Sequence, residues 1–280
     1  MATTDIIHIC GSLKPSKPGV AFLGGDTDDY VQVDAAAVGQ LGASYTSGTW
    51  AAWIMAKDKT QTGTIMGMGD KNVVEFIELN IEAGKLVARC TDATTVAWVI
   101  TTDAVVIQPH QWYHVALKHD SLVPSLFVNG VKVAQTISTA TATTKWINDC
   151  AGLDSGRIGA ANKAGNDSIT QEFGGTISDL RLYGGTTTTG ALTDAEILAI
   201  YEGVYPATTY LYNHWIFDGD YADLGTGADT GTEVGDNVFA CSACEFDSRF
   251  RAAGLVTADY PVVCTDNNGT SANCWVINSA

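Results

Sequence analysis

The sequence predicts an all-β fold: a sandwich of two antiparallel sheets with one short helix and a C-terminal extension. Three observations carry this. Short runs of alternating apolar and polar residues recur between Gly, Asp, Asn and Thr clusters. The pair Asn129-Gly130 lies between Leu126-Phe-Val128 and Val131-Lys-Val133, and it supplies the positive φ angles of a two-residue hairpin turn. A two-period run from Phe173 to Tyr183 leads into a single well-capped helix at Thr193.

In chain order, Val20 to Leu23 and Tyr30 to Val33 read as short strands around a Gly/Asp turn. Thr49 to Ala56 is apolar on both faces, which predicts a central strand covered on two sides. Gly63 to Gly69 is a strand whose glycines admit close backbone approach. From Val74 to Ile81, Ile77, Leu79 and Ile81 share one face, and Glu78 and Asn80 take the other. Gly84 to Cys90 pairs back on it across a turn at Glu82 to Gly84. Gln111 to His119 separates Tyr113, Val115 and Leu117 from Trp112, His114 and Ala116. Thr136 to Thr144 suits a loop or edge strand, and Ala160 to Gln171 an exposed loop. Thr193-Asp-Ala-Glu196 is a capping box, followed by an apolar stripe of Ile197, Ile200 and Tyr201 and a Gly203 cap. After Pro206 the texture changes to Gly, Asp and Thr. This divides the chain into an arm (1–19), a sandwich (20–205) and a C-terminal extension or small β module (206–280).

The 280 residues hold 15 Lys plus Arg against 31 Asp plus Glu, a net charge of -16, which argues against nucleic acid and anionic membrane as partners. No stretch has the length of a membrane span, so membrane insertion is not expected. Of seven cysteines, Cys10, Cys90 and Cys150 stand singly and read as small buried residues. Cys241, Cys244, Cys264 and Cys274 cluster. Their spacing opens like a zinc site but lacks a second close pair, so disulfides are the favoured reading. His110 and His114 share a strand face but stand roughly 13 Å apart, too far for one ion.

Phe22 to Val31, Trp50 to Ile54, Trp112 to Ala116, Val128 to Gly130, Gly175 to Tyr183 and Leu192 to Ile197 form an ordered set. In that order they resemble a laminin-G-like, concanavalin A-like lectin/glucanase jelly roll over roughly residues 20 to 203. The resemblance implies a structural calcium held by Gly25, Asp26 and Asp28 of the turn and by Asp179 of the last strand. Leu23-Gly24-Gly25 stands where the family has Phe-Asp-Gly, so one carboxylate is displaced, and plain turn chemistry explains the same residues.

The same broad fold hosts glucanases, whose retaining members need two carboxylates about 5 Å apart. On a strand that requires acids at i and i+2 or i+4. Glu75 and Glu78 are three apart and face opposite sides, and Asp218 and Asp220 lie in a turn. No Glu-x-Asp-x-x-Glu strand, Gly-x-Ser-x-Gly elbow or phosphate loop occurs. No catalytic residue is therefore assigned, and the chain is expected not to be an enzyme. Trp98, Trp146 and Tyr45 lie near expected loops and are conceivable sugar platforms, but large aromatics more often pack, so no sugar site is assigned.

Two settings fit. One is a bacteriophage virion protein, a capsid decoration or fibre component made in the host cytoplasm. Its partners would be the capsid, copies of itself and host surface glycans. The other is an extracellular carbohydrate-binding protein. The start Met1 to Cys10 lacks the basic and long apolar parts of a secretory signal, which favours the virion.

Overall fold

The computed structural model describes residues 19–22, 29–204, 208–240, 257–265 and 271–277. Its period-two segments form β1 (Gly19–Phe22), β2 (Tyr30–Gln32), β3 (Ser47–Ala56), β4 (Thr62–Gly69), β5 (Phe76–Glu82) and β6 (Lys85–Asp92). They continue as β7 (Thr95–Thr102), β8 (Trp112–His119), β9 (Pro124–Val128), β10 (Val131–Lys132), β11 (Gln135–Ala140) and β12 (Ser155–Ile158). β13 (Gly175–Gly185), β14 (Leu211–Trp215), β15 (Thr232–Val234) and β16 (Val238–Ala240) follow. Helix α1 (Asp34–Gly42) lies after β2, and α2 (Asp194–Tyr201) after β13.

Two antiparallel sheets result, so the all-β sandwich is the fold. The first runs β10-β9-β8-β3-β13-β1-β16, with β14 also pairing β13; the second runs β11-β7-β6-β5-β4-β12-β2-β15. The doubly apolar segment predicted to be central is β3, paired on both edges with β8 and β13. Between the sheets lie Trp50, Ile54, Ile77, Leu79, Trp98, Ile100, Val115, Trp146 and Leu182, all buried. The outer face of the first sheet carries a second cluster. There Ala51, Ala116, Phe127 and Tyr183 are covered by Leu192, Ile197 and Ile200 at and beside α2. This explains why β3 is apolar on both faces.

Local signals set the elements that were read correctly. Asn129 and Gly130 have φ of 50° and 78°, the left-handed pair that a type I′ turn needs. Thr193 and Glu196 form the capping box: the Thr193 hydroxyl accepts from Glu196 N at 3.2 Å, and Glu196 Oε2 accepts from Thr193 N at 2.7 Å. Thr136 to Ala140 lies in β11, an edge strand.

Three features differ from the sequence reading. Among the described residues there are two α-helices where one was expected. Helix α1 has Val33 at its N-cap with no side-chain bond and contains Gly39, so it lacks the start signal that marks α2. It is held instead by burying Ala36, Ala37 and Gln40. The sandwich also continues past residue 206: β14 pairs β13, β15 pairs β2 and β16 pairs β1. Contacts accordingly divide the chain at Pro18–Ala240, with Cys241–Ala280 and the first residues in another unit. The Gly/Asp/Thr-rich stretch supplies turns between edge strands, so composition alone placed the break too early. Finally, Ala160, Ala161 and Asn162 of the expected exposed loop are buried. In the other unit, β17 (Thr257–Thr265) and β18 (Ser271–Ile277) pair antiparallel.

Candidate functional site

Register places one row of residues across the outer face of the second sheet. Gln32 pairs Arg157, Arg157 pairs Gly67, Gly67 pairs Glu78, Glu78 pairs Arg89 and Arg89 pairs Val99. Asn80 and Glu82 follow Glu78 on the same face of β5. The turn at Ala83-Gly84 fixes this register, because pairing Glu82 with Lys85 sets Glu78 opposite Arg89.

Residues 159–174 fold over part of this face. Gly67 and Gly69 make room: a Cβ at Gly67 would sit 3.1 Å from Ala160 O, and one at Gly69 2.3 Å from Asn162 O. Arg157 holds the segment from below. Its guanidinium donates to Ala161 O (3.2 Å), Ser168 O (2.7 Å), Asp167 O (2.9 Å) and Asp167 Oδ1 (2.6 Å), and lies over the Tyr30 ring. Ala161 and Thr170 exchange two backbone bonds of 2.9 Å.

Beneath and beside this cover is a charged cluster. Glu78 is fully buried, and its Oε1 accepts from Arg89 Nη1 at 2.8 Å and Lys163 Nζ at 3.0 Å. Arg89 also pairs with Glu82, and Asn80 Nδ2 bridges Glu78 Oε1 (3.5 Å) and Glu82 Oε1 (3.2 Å). Lys163 also donates to Gln171 Oε1 at 3.1 Å. Two cations thus balance two carboxylates. The acceptors Glu78 Oε2, Asn80 Oδ1, Thr64 Oγ1 and Asn162 Oδ1 are buried without a donor among the described residues. Such orphans cost stability. Glu82 and Arg89 stay 31% and 22% exposed at their side chains, so the cluster opens to solvent along one edge.

The spacing test applied to Glu75 and Glu78 passes over Glu78 and Glu82, which are four apart and share a face. The structure still gives this pair no catalytic geometry. Both carboxylates bind one guanidinium, the Asn80 amide fills the gap between them, and Glu78 is sealed from solvent. A glycosidase needs that gap for the sugar. Glu75 sits elsewhere, buried and accepting from Gly152 N (2.8 Å). Burial, with Asp92 beside it, pushes its carboxyl above the ordinary range. Asp218 and Asp220 are exposed.

The other sequence-predicted residues disperse. Trp98 and Trp146 are fully buried, stacked on each other and on His119 (6.0 and 4.9 Å), and are core rather than sugar platforms. Tyr45 packs edge-on against Tyr212 at 5.5 Å. His114 is buried with its ring tilted against Trp53, and His110 is exposed. Gly25, Asp26 and Asp28 lie outside the described residues. Asp179, at φ 49° in a bulge of β13, has its carboxylate engaged by Arg181 Nε (2.9 Å) and His214 Nε2 (2.7 Å). Burial acts to raise its pKa, but these donors hold it below the usual carboxylate range. An Asp179 committed to two nitrogens does not fit a calcium ligand. Among the described residues, no group of three His, Cys, Asp or Glu is arranged for a metal. Cys241 and Cys244 also lie outside them; Cys264 stands opposite Ala272 and Cys274 opposite Val262.

A concavity of about 210 Å³ lies on the first sheet, away from the charged cluster, where Met55, Lys57, His110 and Thr176 line it.

The family model described as the concanavalin A-like lectin/glucanases superfamily matches residues 24–198. Among solved structures, the CBM40 of the Ruminococcus gnavus IT-sialidase bound to alpha2,3 sialyllactose superposes with a TM-score of 0.52. It is 17% identical over 66% of this chain and 97% of its own. A Bacteroides ovatus protein proposed to bind carbohydrate gives 0.52, at 19% identity over 82% and 60% of the two chains. The leech intramolecular trans-sialidase gives 0.50, at 21% identity over 68% and 29%. At these identities the likeness is one of fold. No curated protein matches the sequence significantly.

Proposed function

Because the chain belongs to the concanavalin A-like lectin/glucanases superfamily, we propose that it is a non-catalytic glycan-binding sandwich whose sugar contacts centre on Arg89. The observation that carries this reading is the charged cluster of Glu78, Glu82, Arg89 and Lys163 on an outer sheet face, which opens to solvent at Glu82 and Arg89. Sugar hydroxyls donate as well as accept, so they suit both the Glu82 carboxylate and the Arg89 guanidinium at the solvent-facing edge of the cluster. The Ruminococcus gnavus module and the Bacteroides ovatus protein support a carbohydrate ligand for this fold. A glycan array with wild type and Arg89→Lys tests it; binding retained in full by the variant removes Arg89 from the site. Turnover of any bound glycan, abolished by Glu78→Gln, would overturn the non-catalytic part.

The setting proposed for this activity is the exposed surface of a bacteriophage particle, with capsid proteins or copies of the chain as neighbours and host glycans as ligands. Its support is the acidic, lysine-poor composition, with a net charge of -16. An extracellular carbohydrate-binding protein of a cell is the second reading, and its carbohydrate-binding part has the same support from the Ruminococcus gnavus module and the Bacteroides ovatus protein. Peptides of this chain in purified particles decide between them. Calcium at the Gly25, Asp26 and Asp28 turn, without Asp179, and disulfides among Cys241, Cys244, Cys264 and Cys274 complete the proposal. A melting temperature unchanged by calcium and chelator, or a stoichiometric zinc content, would remove them respectively.

A further inference from the structure

We infer that Cys90 and Cys150 are a closable thiol pair, a cross-linking site that a small-molecule disulfide oxidises while the chain folds. The two thiols lie far apart in sequence, separated by 60 in residue number, yet their sulfurs meet at 3.8 Å. Both residues are fully buried in the inter-sheet core. Cys90 sits on β6 with its neighbours fixed in register, Ile77 on one side and Trp98 on the other. Cys150 is fixed by its N–H to Ile147 O (3.2 Å), at the end of a 3-10 turn whose Trp146 N–H donates to Asp149 Oδ2 (3.0 Å). The backbones on both sides are therefore set, and the sulfurs need to close by roughly 1.8 Å to reach bonding distance, a shift within reach of side-chain rotation.

The chemistry balances with one co-reactant. A Cys thiolate attacks one sulfur of oxidised glutathione and expels a glutathione thiolate. The second Cys thiolate then displaces the bound glutathione, forming the Cys90–Cys150 bond. Two electrons pass to the reagent, whose own S–S bond is broken, and the two thiol protons end on the two glutathione molecules. In the folded state this is slow. Contact with Cys90, burial, and the nearby Glu75 and Asp92 carboxylates all push the Cys150 thiol up, so thiolate is scarce and the reagent has no access. Closure therefore belongs to the folding chain. The finished bond ties β6 of the second sheet to the connection that leads to β12.

The test refolds the full chain, reduced and denatured, in a buffer of oxidised and reduced glutathione, alkylates it and maps peptides without reduction. The expected result is one linked species joining the Cys90 and Cys150 peptides, two hydrogens lighter than their sum. Native reduced protein in the same buffer is expected to form it at least about tenfold more slowly. The linked form melts higher than the same protein after reduction, and the gain is absent in Cys150→Ala. Recovery of both peptides singly alkylated, or linked to other cysteines, would overturn the inference. So would an equal melting gain in Cys150→Ala. Should that variant fail to fold, the wild-type peptide map still decides.

Discussion

Removing the Arg89 guanidinium leaves Glu78, a fully buried carboxylate, with Lys163 and Asn80 as its remaining partners. Taking one partner from a buried ion pair costs about 3–5 kcal/mol when nothing replaces it. Here Lys163 keeps one positive charge at 3.0 Å, and Arg89 is itself 22% exposed, so the loss in Arg89→Ala falls to about 2 kcal/mol. For a unit of this size that lowers the melting temperature by roughly 4–8 °C. Arg89→Lys keeps the charge and loses the fork that spans Glu78 and Glu82, and it should cost about 1 kcal/mol. Urea denaturation of wild type and both variants, with midpoints compared at constant slope, reads these differences. Both variants within about 0.5 kcal/mol of wild type would refute the reasoning, because an exposed residue behaves that way. Equal losses in both would show that geometry, not charge, holds Glu78.

His119 is buried, with Nε2 at 2.8 Å from Thr143 O and Nδ1 accepting from Ser121 N at 3.2 Å, an arrangement the neutral ring satisfies. Burial lowers its pKa, so the unfolded chain takes up a proton first and stability falls as pH drops below about 6.5. His119→Gln should flatten that limb in denaturation curves between pH 7 and 5. Asp179 has the depressed carboxylate pKa, so its contribution is present above the unfolded value of about 3.9 and lost as pH falls below it. Asp179→Asn should remove that acid-limb slope in the same titration, and a retained slope would assign it to other carboxylates. Thr193→Ala breaks the capping box and should cost about 1 kcal/mol by urea denaturation, with Thr193→Asp close to wild type.

Much of the sandwich was legible because its signals are local. The Asn129-Gly130 turn, the Thr193 box and the alternation in β5 and β8 each lie within one element. Helix α1 was hidden because tertiary burial of Ala36 and Ala37, not a cap, stabilises it. β12 was hidden because Gly156 interrupts its alternation. The site divides in the same way. The pairing of Glu78 with Arg89, 11 residues on, follows from the Ala83-Gly84 turn, so that half was readable from hairpin register. Lys163 arrives from 85 residues away on a segment with no regular element, and no local pattern foretells it. The meeting of Cys90 and Cys150 was invisible for the same reason, and the burial of Trp98 and Trp146 depends on both sheets closing over them.

A glycan array probed side by side with the full wild-type chain and Arg89→Lys, both checked for folding, tests the central claim most directly. Saturable binding by wild type, weakened at least about tenfold (~1.4 kcal/mol) in the variant, is the expected result. Equal binding by both proteins, or none by wild type on any glycan with calcium present, would contradict it.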